Sequence, residues 1–325
     1  MSIDKFFQNA AANTILAPMA GYTDPAFRTI CHDYGAGLTV TEMVSAKAIE
    51  MNNSLTKTLL KKFDGDQPCF VQIFGHEPSV LAESVKIEEM QCFDGVDINM
   101  GCPVKKIVGN GDGSALLENP KLASQCISAV KLAVKDKPVS VKFRLGVSDS
   151  NGAVDFAKMC ADSGADFVTV HFRTRKQMYS GNADYSLLPQ IATCGVPVFA
   201  NGDVTTRTEY VKLTEQGAYG VAVGRGALGK PYVFSQIANA KFRFDVLQTV
   251  LRHIEMLNAY LPHRVVNNEM KKHVAYYLKG MRGAKQTLLA VMQAKDVDEI
   301  VQGIKTYFLQ NSEYGVICDD KHCIG

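Results

Sequence analysis

The chain has little net charge, no long hydrophobic run and no cysteine pattern, and each absence excludes something. Its 35 lysines and arginines stand against 33 aspartates and glutamates, a balance of +2 that names no partner. No stretch approaches the roughly 18 uninterrupted apolar residues a membrane helix needs. Residues 1–13 lack the basic-then-apolar layout of a signal peptide, which gives the expectation of a cytoplasmic protein. Nine cysteines, an odd number without the spacing of a disulfide-stapled small domain, read as reduced and mostly buried. What is present is a globular composition: 325 residues, 46% hydrophobic and 21% charged. That excludes a disordered, collagen-like or coiled-coil chain and suits one large domain, or one large and one small.

One rhythm runs through the first two-thirds. Short β-branched or apolar runs recur at Thr14–Ala17, Leu38–Thr41, Cys69–Ile73, Val96–Ile98, Val139–Phe143, Phe167–Val170, Val196–Ala200 and Tyr219–Val223. Their starts are 24, 31, 27, 43, 28, 29 and 23 residues apart, about the chain that a strand, a loop and a crossover helix consume. Segments between them, such as 120–135 and 154–163, carry apolar residues at helical spacing. Eight such units predict an α/β fold, a closed (β/α)8 TIM barrel. The competing open doubly wound sheet usually has a glycine fingerprint after its first strand, where this chain reads Ala17-Pro18-Met19-Ala20-Gly21.

After Phe234 the rhythm stops. From Phe242 to about Gln310 there are no convincing strands, only amphipathic stretches (246–260, 268–281, 284–294) broken by Pro262 and Gly283. The predicted organisation is a barrel domain over residues 1–240, a small C-terminal helical domain over 241–311 and a disordered tail over 312–325. The tail's Cys318, His322 and Cys323 are crowded into six residues and read as a frayed end rather than a metal site. Between 241 and 295 ten basic residues face three acidic ones, a local charge of +7. A solvated helix face would account for that, and so would a phosphate-rich partner.

Barrels do their chemistry at the C-terminal ends of the strands, where the loops converge on one mouth. The third run holds Gln72, the fourth leads into Asn99, the fifth carries Lys142 and Arg144, the sixth leads into His171 and the seventh into Asn201. A lone polar residue at a strand end is commonly a satisfied core group. Five strands ending this way suit a large planar ligand with polar edges. Asn201-Gly202-Asp203 and Gly224-Arg225-Gly226 follow the seventh and eighth runs, where barrels often bind phosphate; glycine permits close backbone approach and Arg225 adds charge. The longest gap between runs holds Asn99-Met100-Gly101-Cys102-Pro103 and the glycine-rich 109–113. Cys126 and Cys160 sit in helical patterns and read as packing residues. Cys102, between Gly101 and Pro103, has little to pack against. A thiol with an ordinary pKa near 8.5 keeps its proton at neutral pH and can donate it to a developing carbanion. Lys105 and Lys106 are placed to lower that pKa if their ammonium groups come close.

The segments 16–28 (LAPMAGYTDPAFR), 99–106 (NMGCPVKK), 171–175 (HFRTR), 201–204 (NGDV) and 272–280 (KHVAYYLKG) together resemble the tRNA-dihydrouridine synthases, from about residue 13 into the helical domain. The resemblance implies an FMN-bearing barrel and an oxidoreductase that uses NADPH to reduce the C5–C6 bond of uridines in tRNA to 5,6-dihydrouridine. It places Pro18, Met19, Ala20, Gln72, Lys142 and His171 around the flavin. Asn201, Gly202, Asp203, Gly224 and Arg225 are expected on its ribityl and phosphate groups, and Cys102 as the proton donor. Asn99, Arg144, Arg173, Arg175, Lys271 and Lys272 are expected on the RNA side. A monomer without a metal is expected. The chain departs from the family pattern at Phe172, Asp112 and Tyr185, where Gly, Ala and Trp respectively are common, with consequences for substrate fit. Two other readings share parts of the pattern. One is a free-pyrimidine flavoenzyme like a dihydroorotate dehydrogenase, the other a non-catalytic RNA-binding barrel.

Overall fold

The computed structural model describes residues 3–8 and 10–319. Each expected run forms a parallel strand: β1 (Thr14–Leu16), β2 (Leu38–Ser45), β3 (Cys69–Phe74), β4 (Gly95–Met100), β5 (Val139–Arg144), β6 (Phe167–His171), β7 (Val198–Asn201) and β8 (Gly220–Val223). They close in sequence order, with β8 returning to β1, so the predicted TIM barrel is the observed fold.

Strand side chains alternate between faces, and this decides what fills the barrel. Outward residues such as Val71, Ile73, Ile98, Val141, Phe143, Val168 and Val170 are buried beneath the helices. Inward positions divide into two levels. The floor is apolar: Ile15, Leu38, Val40, Phe70, Phe167, Phe199 and Ala222 pack with Ile3 and Phe7 of the N-terminal segment. Phe70–Phe167 and Phe167–Phe199 stand 5.6 and 5.3 Å apart, and Phe7 meets Phe199 at 5.3 Å. Gly95 makes room for this layer, since a Cβ there would lie 2.4 Å from the Phe70 ring. Above the floor the same strands turn polar. The register sets Gln72 beside Asp97, Asn99 beside Lys142, and Arg144, His171 and Asn201 in one row.

A second hydrophobic core belongs to the helices Val246–Asn258, His263–Tyr277, Ala284–Gln293 and Val297–Gln310. Val246, Val250, Ile254 and Leu257 form one stripe at helical spacing, and they pack with Met270, Val274, Ile300 and Ile304. Burying such a side chain is worth about 1.5–3 kcal/mol. Asp245 and Asp296 cap two of these helices by accepting from Gln248 N and Glu299 N. The second helix starts at His263, five residues before the predicted stretch, because Pro262 serves as its N-cap rather than as a gap. Among the described residues no helix is long and apolar enough to cross a membrane.

Two expectations about this region are corrected. Arg243–Asp245 is a short strand, β9, paired antiparallel with β10 (Val316–Cys318). Residues 312–319, read as part of a disordered tail, therefore carry a 3-10 turn and a strand that closes the helical unit; 320–325 lie outside the described residues. A three-residue strand paired with a segment some seventy residues away leaves no periodicity to read. Cys318 is disulfide-bonded, unlike the seven free cysteines from Cys31 to Cys194.

The two units meet through a buried polar clasp. Asp24 caps the Pro25–Asp33 helix, with Oδ1 accepting from Ala26 N and Phe27 N, while Oδ2 accepts from His273 Nε2 (3.1 Å) and His253 Nε2 (3.4 Å). The ligand atoms of these three side chains lie within 4.8 Å of one another. The four donors satisfy the carboxylate, whose pKa is held well below the usual range by the imidazoles against the opposing effect of burial. Burial, with His253 beside it, pushes His273 down to about 4. Gly229, at φ 70°, lies so close to the C-terminal end of the His263–Tyr277 helix that a Cβ would overlap the Tyr276 carbonyl.

Candidate active site

The polar level of the barrel is a connected network. Ser140 Oγ and Gln72 Nε2 each donate to Asp97 at 2.6 Å, and Asn99 Nδ2 donates to Gln72 Oε1 at 2.9 Å. Burial raises Asp97 to about 6, against the pull of these donors and of Lys142. Asn99 Oδ1 accepts from Gly101 N and Cys102 N. Asn99 thus shapes the thiol loop; its side chain is already engaged and is not a free substrate contact.

Positive charge is the mouth's main feature. Lys142 makes no hydrogen bond or ion pair among the described residues, and burial, with Arg144 beside it, depresses it to about 8. Arg144, 3% exposed, donates only to carbonyls, those of Gly101, Thr174 and Met178. Arg225 is half exposed and lies 3.7 Å from Asp203. His171 is buried, and desolvation together with Lys142, Arg144, Arg173 and Arg225 drives it down to about 2, so it is neutral. Four cations thus face two carboxylates: Asp203, and Asp97, which is itself reluctant to ionise. An unmet positive potential in a partly desolvated mouth is a site for an anion.

The predicted phosphate loops flank this field. Gly202 has φ 133°, and a Cβ there would press on Ala183 at 2.8 Å and lie 3.5 Å from the His171 ring. Tyr185 hydroxyl donates to the Gly202 carbonyl. Asn201 Nδ2 donates to Ala222 O, tying β7 to β8. Gly224 precedes the turn Arg225–Ala227, which no side chain caps, and sits opposite Met19, whose Sδ would be 3.7 Å from a Cβ added there. The loop after β1 therefore meets the loop after β8: Pro18 and Met19 are half-buried and Ala20 exposed on that rim.

Several expected roles change. Arg173 was expected to grip RNA, but it is 2% exposed and forms a fork with Asp203 (3.1 and 2.5 Å) while donating to Ser180 O and Gly181 O. It stiffens the loop after β7, and Asp203 is consumed by it, its pKa lowered by the arginine against the effect of burial. Lys271 donates to Ala294 O at 2.6 Å and is spent at the end of a helix. Arg175 pairs with Glu118 at 3.0 Å, and Lys272 with Glu269 at 2.5 Å while lying 5.8 Å over the Tyr22 ring. Both remain on the mouth side of the molecule, half-buried.

Cys102 is half-buried at the rim, and burial raises its thiol pKa. The cations opposing that rise are Arg144 and Lys142, not the exposed Lys105 and Lys106 that the sequence suggested. The thiol therefore holds its proton at neutral pH. Sequence reasoning missed Asp97, although it stands two residues before Asn99 on the same face of β4. It also missed Tyr179, whose ring lies 4.5 Å from the Arg225 guanidinium and 5.5 Å from that of Arg144. No pattern marks a tyrosine in an irregular loop.

Comparison with known proteins adds an independent line. A family model described as "Dihydrouridine synthase (Dus)" matches residues 15–312. The chain is 38% identical over 312 residues to the "Probable tRNA-dihydrouridine synthase" of Rickettsia conorii, covering 92% of this chain and 94% of that one. It is 34% identical over 314 residues to "tRNA-dihydrouridine synthase B" of Pseudomonas aeruginosa, covering 93% and 94%.

Proposed function

The chain belongs to the dihydrouridine synthase family, and from that premise we propose that it reduces the C5–C6 bond of uridines in tRNA to 5,6-dihydrouridine in the cytoplasm, with FMN in the barrel mouth and NADPH as reductant. The observation that carries the cofactor assignment is the positive charge of Lys142 and Arg144, which have no carboxylate partner, with half-exposed Arg225 near Asp203, around a neutral His171. It sits beside a rim that carries Gly202 and Gly224 and above the hydrogen-bonded level of Gln72, Asp97 and Asn99.

Pro18, Met19, Ala20, Gln72 and Lys142 would border the ring; Gly202, Gly224 and Arg225, with His171, would meet the phosphate end. Asn201 and the Arg173–Asp203 fork hold those loops in shape. When bound, FMN supplies the hydride that C6 of uracil accepts. Cys102 Sγ holds a proton at neutral pH and delivers it to C5. Lys142, still largely protonated at neutral pH, offsets negative charge at the ring edge. Arg144, fixed by three carbonyls, presents a cation to the uracil side of the mouth without swinging. A stacked base cannot reach this depth, so the uridine must leave its helix. Arg175, Lys272 and the exposed Arg264, Lys279, Arg282 and Lys285 would hold the backbone around it.

The test is direct. Purified FMN-loaded protein is incubated with NADPH and tRNA lacking dihydrouridine, and nucleosides are read by mass spectrometry. Dihydrouridine should appear; its absence, with turnover of free dihydroorotate instead, would overturn the reading.

A further inference from the structure

His76 and Asp112 lie outside every role described so far. His76 follows β3, and its Nδ1 lies 2.8 Å from Asp112 Oδ1, a contact between the end of that strand and the glycine-rich loop after Cys102. Asp112 is 8% exposed. The ring packs on Gly111, where a Cβ would lie 3.4 Å away, and the His76 carbonyl accepts from Cys126 Sγ. Gly113 and Ser114 follow immediately. Ser114 donates to the Cys102 carbonyl twice, from N at 3.1 Å and from Oγ at 2.8 Å. Gly113 is so near that a Cβ would lie 3.1 Å from that of Cys102.

Together these contacts form a closed circuit. It leaves β3 at Gln72, passes through Asn99 to the Cys102 amide, continues from the Cys102 carbonyl through Ser114 to Asp112, and returns through His76 to the chain two residues beyond the end of β3. Every link on the Asn99 side is anchored in the barrel. On the other side the turn between the helix Lys105–Gly109 and the 3-10 turn Gly113–Glu118 is tied by its own backbone bonds and by buried Ser114 and Leu116, and Asp112 with His76 adds the side-chain tie back towards β3.

We propose that His76 and Asp112 are positioning residues that fix the placement of the Cys102 thiol. Taken as part of the reaction, this rests on the proton-donor reading of Cys102. A thiol must meet C5 within a fraction of an ångström, and a displacement near 1 Å can cost about a hundredfold.

The experiment compares Asp112→Ala, Asp112→Asn and His76→Ala with the native holoenzyme. The first readout is the rate at which iodoacetamide alkylates Cys102, followed on the Cys102 peptide by mass spectrometry. The second is the rate at which the NADPH-reduced enzyme forms dihydrouridine in tRNA. The third is flavin reduction by NADPH alone. Asp112→Ala and His76→Ala should alkylate several-fold faster and lose about tenfold in dihydrouridine formation, with flavin reduction unchanged. Asp112→Asn, which retains an Oδ1 acceptor for Nδ1–H, should recover most of both. Native alkylation rates in Asp112→Ala, or an Asp112→Asn variant as impaired as Asp112→Ala, would overturn the proposal. So would an equal loss in flavin reduction. If the native enzyme formed no dihydrouridine at all, the function reading would fall, while the alkylation comparison would still decide the positioning role.

Discussion

The barrel mouth and the helical unit are both basic, but in different ways. In the mouth, Lys142 and Arg144 are desolvated, lack carboxylate partners and are held by strands and carbonyls. In the helical unit, Arg264, Lys279, Arg282 and Lys285 are exposed, while Lys271 and Lys272 are already engaged with Ala294 O and Glu269. Charge of the first kind is barely screened and selects one anion in one pose. Charge of the second kind is screened within about 10 Å at 0.1 M salt and suits a long polyanion. Equal counts of basic residues can therefore do unequal work, and substitutions separate the two.

The largest effect should come from Cys102→Ala. Dihydrouridine formation should fall about 10²–10⁴-fold, with FMN content and its reduction by NADPH intact; both are read from the flavin absorbance and nucleoside mass spectrometry. Unchanged turnover would remove the thiol from the chemistry.

The seam between the regions should respond to pH. His273 titrates near 4 in the fold against about 6.5 unfolded, so between those values the unfolded chain binds more protons. The His273 contribution to stability should therefore be level above about 6.5 and fall as the pH drops towards 4, by on the order of 3 kcal/mol. Asp24, depressed in the fold, adds a further loss in more acid solution. The difference in denaturant midpoint between the native protein and His273→Gln, followed across this range, should carry that slope, and a difference independent of pH would remove His273 from it.

Arg225→Ala tests the mouth. FMN affinity, measured by titrating apoprotein, should weaken about tenfold while the fold survives. Arg173→Ala should also unsettle the Gly202–Asp203 loop, and its loss should exceed that of Arg225→Ala. The smallest effect belongs to the helices: Lys279→Glu with Lys285→Glu should weaken tRNA binding a few-fold and reduce the salt slope by about one or two, leaving the flavin unaffected. If those two variants lowered FMN affinity instead, the distinction between the regions would fail.

Much of this comparison is legible in the sequence. The spacing of eight apolar runs gave the barrel, because each strand–helix unit consumes a similar length of chain. Gln72, Asn99, Lys142, His171 and Asn201 were found by their place at strand ends, and Cys102 by its poor packing options between glycine and proline. What stayed hidden depends on contacts between distant residues. Asp24 meets His253 and His273 across 229 and 249 residues, and no local pattern announces such a pairing. Arg173 looked like an RNA contact from its motif, yet a residue type does not reveal that Asp203 will bury it. The β9–β10 pair is too short for alternation to register.

The phenylalanines beneath the polar level have one more consequence. With Phe7 pressed against Phe199, and Phe70 and Phe167 alongside, the base of the cylinder is stoppered. Anything that visits must come and go through the same doorway. The reductant and the flipped nucleotide proposed above would have to take turns there.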